Sequence, residues 1–180
     1  MPEYRRAWTS GGTFFFTVVT YNRYPILAQE PAIDLLHRCF HTVIIERPFQ
    51  MDALVILPDH LHCIWTLPDN DSDFSTRWKR IKTTFTKRYS GDKADDISES
   101  MRKKKERGVW QRRFWEHMIR DQEDFNRHCD YIHYNPVKHG LVGLPTEWKH
   151  SSFMEFVKQG YYPENWGHTI RKEVIEMDFE

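Results

Sequence analysis

Met51-Asp52-Ala53-Leu54-Val55-Ile56-Leu57-Pro58-Asp59-His60-Leu61-His62-Cys63-Ile64-Trp65-Thr66-Leu67-Pro68 is the stretch that decides the fold. Two runs rich in aliphatic residues, Met51 to Leu57 and His60 to Leu67, flank the turn signal Pro58-Asp59. That pattern predicts two strands joined as a hairpin. Successive side chains of a strand point to opposite faces, so His60 and His62 share one face while Leu61 and Cys63 point into a core.

Working outward, Gly11-Gly12 opens a buried strand from Thr13 to Thr20, rich in β-branched and aromatic residues. Tyr21 to Pro25 is a turn. Pro31 suits the first turn of a helix that runs to about Glu46 on an apolar stripe of Ile33, Leu35, Leu36, Phe40, Val43 and Ile44, and Arg47-Pro48 stops it. Downstream of the hairpin, Pro68 to Asp73 is a polar loop. Phe74 to Tyr89 reads as a helix with Ser75 as its N-cap. Residues 91–108 read as a mobile loop with room for a short helix. Phe114 to Arg120 is a fourth strand, and Asp121 to Tyr134 a helix ended by Asn135-Pro136. The order strand, helix, strand, strand, helix, strand, helix matches an α+β, ferredoxin-like antiparallel sheet of the split β-α-β kind, with a C-terminal extension. We read 1–180 as one domain, with a core over 1–136 and a packing tail over 137–180.

Composition bounds the function. The 180 residues carry no formal net charge, so a uniformly basic nucleic-acid binder is excluded and local clusters matter more. Cys39, Cys63 and Cys129 are scattered and odd in number, which fits reduced thiols of a cytoplasmic protein rather than a disulfide framework. The N-terminus lacks the apolar region of a signal peptide, and no apolar run is long enough to span a bilayer, so no membrane role is expected.

The histidines carry the most chemistry. Two neutral imidazoles side by side can share a divalent cation. An isolated H-x-H is nevertheless more often two histidines covering a sheet, and the pair alone fixes neither metal nor reaction. The segment Asp130-Tyr131-Ile132-His133-Tyr134-Asn135-Pro136 is the second feature. Tyr131 and Asn135 are four apart and share a helix face. Tyr131 offers a phenolic oxygen, and Asn135 an amide oxygen for a metal or a hydrogen bond to the nucleophile. With a free pKa near ~10, a tyrosine needs a base, a cation or close placement to act as a nucleophile. Read without the histidines, the segment describes a core tyrosine beside a helix end.

Arg77, Lys79, Arg80, Lys82, Lys87 and Arg88 form a run free of acids, with Trp78, Phe85 and Tyr89 interleaved. One face of that helix is expected to pack and the other to meet phosphate. Lys82, with Arg112, Arg113 and Trp115 at the fourth strand, and Arg5 and Arg6 on the N-terminal arm, are the candidate DNA-binding residues. Arginine matches guanine edges by its paired donors, and Trp8 and Trp115 offer stacking surfaces for unpaired bases.

Several pieces occur together in one order: Glu3 to Arg6, Gly11 to Val18, Leu57 to Pro68, Arg113 to His117, and Asp130 to Gly140. With them the chain resembles the REP-associated tyrosine transposases, a branch of the single-tyrosine HUH transposases of insertion sequences. The resemblance implies that His60 and His62 hold Mg2+ or Mn2+. It implies that Tyr131 attacks a DNA phosphodiester, becoming joined to the 5′ phosphate and releasing a 3′ hydroxyl. The family's third metal ligand lies one helical turn after the tyrosine and is often Gln; Asn135, one methylene shorter, stands there. The implied partner is single-stranded or hairpin DNA near repeated palindromes, read in part by the N-terminal arm. The implied setting is the bacterial cytoplasm, acting at the nucleoid, as a monomer or a homodimer. The rivals are a non-catalytic nucleic-acid-binding module and a metal-dependent hydrolase in which water attacks.

Overall fold

A computed structural model of the chain describes residues 10–93, 96–167 and 177. The hairpin forms as its sequence predicts: β2 (Gln50–Ile56) and β3 (His60–Thr66) pair antiparallel, and the Leu57 amide donates to the His60 carbonyl at 2.8 Å across the Pro58-Asp59 turn. The register shifts between Met51 and Ala53, and the extra residue, Asp52, accepts hydrogen bonds from Thr66 and Gln50. β1 (Thr13–Val19) pairs with β3 on one side and with β4 (Trp115–Met118) on the other, giving the order β2-β3-β1-β4, all antiparallel. This is the sheet expected of a split β-α-β fold. β4 is shorter than the predicted Phe114 to Arg120, because Phe114 turns into the aromatic core and β1 ends at Thr13, whose carbonyl takes the Ile119 amide.

One face of the sheet carries Phe14, Phe16, Val18, Leu61, Cys63 and Trp65, packed against α1 (Glu30–Glu46) and α2 (Phe74–Arg88). Trp65 stacks on Trp78 at 4.3 Å between ring centroids and meets Phe49 at 4.1 Å with the rings tilted by 32°, so much apolar aromatic area is buried in close contact. The other face, with Phe15, Val55 and Ile64, is covered by α4 (Gln122–Lys138). The expected loop carries a short helix, α3 (Glu99–Lys103), and α5 (Phe153–Lys158) lies in the C-terminal extension. Residues 150–152 add onto the open edge of β2: Ser151 bridges Val55, the Ile56 amide donates to the His150 carbonyl at 2.9 Å, and the Ser152 amide donates to the Leu54 carbonyl at 2.8 Å. The extension thus caps an otherwise unpaired strand edge. No helix among the described residues is long and apolar enough to cross a membrane.

Three expectations are corrected. The N-cap of α2 is Asp73, not Ser75: its carboxylate accepts from the Thr76 amide at 2.9 Å, the reach an N-cap makes to the third helical residue. α4 does not end at Asn135-Pro136 but runs to Lys138 with Pro136 inside it. Asn135 and Pro136 are buried, so packing outweighs the proline's local cost, and the stop signal is Gly140 at φ +67. Arg77 is not on a phosphate-facing surface. It is 1% exposed, and its donors reach both Asp71 oxygens (3.1 and 2.7 Å) and the carbonyls of Asp73, Arg47 and Pro48 (2.9, 3.1 and 2.7 Å). That hydrogen bonding holds the Asp71 carboxyl below its ordinary pKa. Arg77→Met strands several buried acceptors at once and is expected to cost about 3–5 kcal/mol in urea unfolding; a change below about 1 kcal/mol would contradict the arrangement.

Candidate active site

The β1/β3 register sets His62 opposite Thr17 and His60 opposite Val19, on the face covered by α4. Both imidazoles are buried, at 1% exposure for His60 and 0% for His62, with ring centroids 4.9 Å apart. Each ring is fixed through Nδ1. His62 Nδ1 is 2.9 Å from the Thr17 hydroxyl, and His60 Nδ1 is 2.6 Å from the Asp59 carboxylate. Such outer partners set the ring orientation and direct Nε2 away from the anchor. His62 Nε2 has no hydrogen-bond partner among the described residues. Burial, then the electrostatic influence of the neighbouring His60, His139, Lys138 and Arg23 side chains, push the His62 pKa well below its ordinary value, which keeps the ring in the neutral form that ligates cations. Burial alone would raise the Asp59 carboxyl, but the bonds from His60 and Arg23 outweigh it and bring the pKa to about 2. Arg23 reaches Asp59 at 3.1 Å from a left-handed backbone, φ 51.

α4 supplies the opposing wall through its 3.6-residue period. Tyr131 lies edge-on to His62 at 5.1 Å and to Phe15 at 6.1 Å. Two turns later His139, at the C-cap, lies edge-on to His60 at 5.2 Å. Asn135 falls midway on the same stripe, fully buried, and neither its carboxamide oxygen nor its nitrogen has a partner among the described residues. A buried amide without partners costs roughly 1–3 kcal/mol, so this residue is retained against stability. Lys138 sits 5.0 Å above the Tyr131 ring and donates to the Met177 carbonyl. Tyr134 instead lies edge-on to Trp166 at 6.4 Å. His60, His62 and Asn135 therefore offer two imidazole nitrogens and an amide oxygen beside a tyrosine, a donor set able to hold a divalent cation.

The remaining candidates divide between the two faces. Trp115, 39% exposed, pairs opposite Thr17 and meets the edge of Phe15 at 5.8 Å, so it belongs to the histidine face. Arg113 is exposed just before it. Lys82 and Arg112 line a cavity of about 670 Å3 beside α2, in the helical layer across the sheet. There Lys82 donates to the carbonyls of Gln111 and Arg112, and Arg112 binds Glu106 and Ser100. Burial lowers the Lys82 pKa to about 8, against the pull of Glu106. Arg5, Arg6 and Trp8 lie outside the described residues.

Sequence reasoning missed the supporting residues. Asp59 and His139 carry a signal, one adjacent to His60 and the other a helical turn past Asn135, but Pro136 acts as a local stop signal that hides His139. Thr17 needs the β1/β3 register. A further group, His117, Asp124 and His128, is also brought together: His117 Nε2 is 2.8 Å from Asp124, and His128 Nδ1 is 3.3 Å from it. Burial works against ionisation of Asp124, yet the bonds from His117 and Arg120 hold its carboxyl well below the ordinary range.

Residues 10–135 match the family model described as "Transposase IS200 like". The REP-associated tyrosine transposase of Escherichia coli K12 is 43% identical over 170 residues, covering 94% of this chain and 93% of that protein. A relative from Haemophilus influenzae is 41% identical over 167 residues, covering 93% and 94%. A solved structure of the REP-associated tyrosine transposase bound to a REP hairpin superposes with a TM-score of 0.78 at 41% identity, covering 95% of this chain and 94% of that one. The chain belongs to the IS200-like transposase family of DNA-nicking and strand-transfer enzymes, on its REP-associated tyrosine transposase branch.

Proposed function

We propose that this transposase cuts and rejoins single-stranded DNA beside a hairpin, with Tyr131 as the nucleophile and His60, His62 and Asn135 as holders of Mg2+ or Mn2+. The observation that carries the reading is the seating of the Tyr131 ring against His62, on a helix whose next turn presents Asn135. The buried, unpartnered His62 Nε2 and Asn135 carboxamide fit a cation that would complete them. When bound, the ion supplies Lewis-acid polarisation of the scissile phosphate. Thr17 and Asp59 hold the imidazoles in the ligating orientation, and the Lys138 charge favours negative charge developing on the phenol.

In the step itself, Tyr131 Oη gives up its proton and bonds to phosphorus. The bond from phosphorus to the 3′ oxygen breaks, and that oxygen takes a proton. The products are a 5′-phosphotyrosine and a free 3′ hydroxyl. The number of phosphoester bonds is conserved, so a 3′ hydroxyl of another strand reverses the step without a nucleotide cofactor.

Hairpin DNA as partner extends to this chain what the 41%-identical structure is bound to. Arg5 and Arg6 are assigned to base edges, and Arg113 and the exposed Trp115 to the unpaired strand near the site. Lys82 and Arg112 serve that strand by fixing the 111–113 segment. The β2 edge covered by residues 150–152 favours action as a monomer.

A labelled hairpin oligonucleotide with a single-stranded flank, incubated with Mn2+, tests the reading on a denaturing gel. A protein–DNA adduct is expected, and chelation should remove it. Cleavage without an adduct would instead indicate attack by water. Asn135→Leu separates ligand from packing residue: it fills similar space without stranded polar atoms. Its melting temperature is expected to hold or rise, while Mn2+ affinity falls by about 10-fold or more. Lower stability with unchanged affinity would remove Asn135 from the ligand set.

A further inference from the structure

The geometry points to a second cation centre, formed by His117, Asp124 and His128, that takes a late first-row divalent ion such as Zn2+ and ties the first turns of α4 to edge strand β4. His117 pairs opposite Phe15, which places its ring on the α4 face. Asp124 and His128 are one turn apart on α4 and meet it there. One donor atom from each residue lies within 4.8 Å of the others, with His117 Nε2 2.8 Å and His128 Nδ1 3.3 Å from Asp124 side-chain oxygens; His128 Nδ1–H also donates to the Asp124 main-chain carbonyl at 2.8 Å, a bond that the ion would replace. Metal–ligand arms of about 2.0–2.2 Å set neighbouring donors roughly 3–3.5 Å apart, so small side-chain shifts close the cage. The imidazole rings already stack at 4.7 Å and 16°. Asp124 and His128 are buried, whereas His117 keeps 27% of its side chain exposed, which gives an ion its entry and a water its place.

Two imidazoles with a carboxylate suit Zn2+, Co2+ or Ni2+ better than Mg2+. Asp124 adds a negative charge that the neutral set His60, His62 and Asn135 lacks, so the second centre is the tighter of the two for such ions. The Arg120 main-chain N–H stays on one Asp124 oxygen at 3.1 Å, while the side-chain occupants of the carboxylate are replaceable. Arg120 contacts it at 3.2 Å from a side chain that is 65% exposed and free to swing into solvent. The proton between His117 Nε2 and Asp124 leaves or moves to Nδ1 as the ion binds. Phe15 touches both His62 and His128, at 5.5 and 4.8 Å, and Tyr131 lies three residues past His128. An ion here would fasten the turn of α4 that precedes Tyr131, and the inference stands whether or not Tyr131 is the nucleophile.

The test is Co2+ titration of the full chain carrying His60→Ala and His62→Ala, which removes the first donor set. One equivalent should bind with visible d–d absorption bands, be displaced by Zn2+, and raise the melting temperature. Adding His117→Ala should weaken Co2+ binding by at least about 10-fold. Should the double variant not fold, the wild-type chain serves: its Co2+ stoichiometry should fall by one equivalent on His117→Ala, since His117 is part-exposed on an edge strand. No Co2+ bound by the folded double variant, or a stoichiometry and affinity indifferent to His117→Ala, overturns the proposal.

Discussion

Tyr131→Phe is expected to abolish the covalent protein–DNA adduct and to lower strand cleavage by about 10^3-fold or more, with hairpin binding unchanged. The substitution removes one oxygen. The ring that lies against His62, Phe15 and Lys138 remains, so the packing of α4 on the sheet survives. Stability should change by about 1 kcal/mol, the scale of one hydroxyl's interactions. Such a small structural cost beside a large catalytic one distinguishes a nucleophile from a core tyrosine. Tyr134→Phe is the matched control: its ring rests on Trp166, and cleavage should persist. An adduct that survives Tyr131→Phe and disappears in Tyr134→Phe would reverse the assignment.

His62→Ala should produce the second largest loss. It deletes a nitrogen whose only evident use is to hold something that the protein does not itself supply, since Nε2 is buried without a partner among the described residues. Mn2+ affinity should fall by more than about 100-fold, and cleavage with it, because an outer-shell change already costs about 10- to 100-fold. Asp59→Ala provides that smaller step. It leaves His60 in place but removes the carboxylate 2.6 Å from its Nδ1, so the expected loss is about 10- to 100-fold. Isothermal titration with Mn2+ measures both. Equal losses in the two variants, or none in His62→Ala, would contradict the division of roles.

The hairpin and the sheet order were legible because β1 is a run of β-branched and aromatic residues, the two hairpin strands are rich in aliphatic ones, and Pro58-Asp59 marks the turn. The same period of two placed His60 and His62 on one face, and the helical period placed Tyr131 with Asn135. Failures arose where tertiary packing overrides a local rule. Pro136 reads as a stop, yet the buried stripe of α4 carries the helix through it and delivers Lys138 to Tyr131 and His139 to His60. Arg77 reads as one cation in a basic run, yet Asp71 and three carbonyls make it a buried tie. Thr17 could not be tied to His62 until the β1/β3 register was known, and His117 meets Asp124 and His128 only because β4 lies beside β1. Local periodicity, in short, places residues on faces, and pairing decides which faces meet.

The most direct measurement of the central claim is peptide mapping by mass spectrometry of the adduct formed with a hairpin oligonucleotide and Mn2+. The account predicts that the DNA mass, ending in a 5′ phosphate, lies on Tyr131. DNA attached at Tyr134 or at any other residue, or cleaved DNA with no attached peptide, would contradict it.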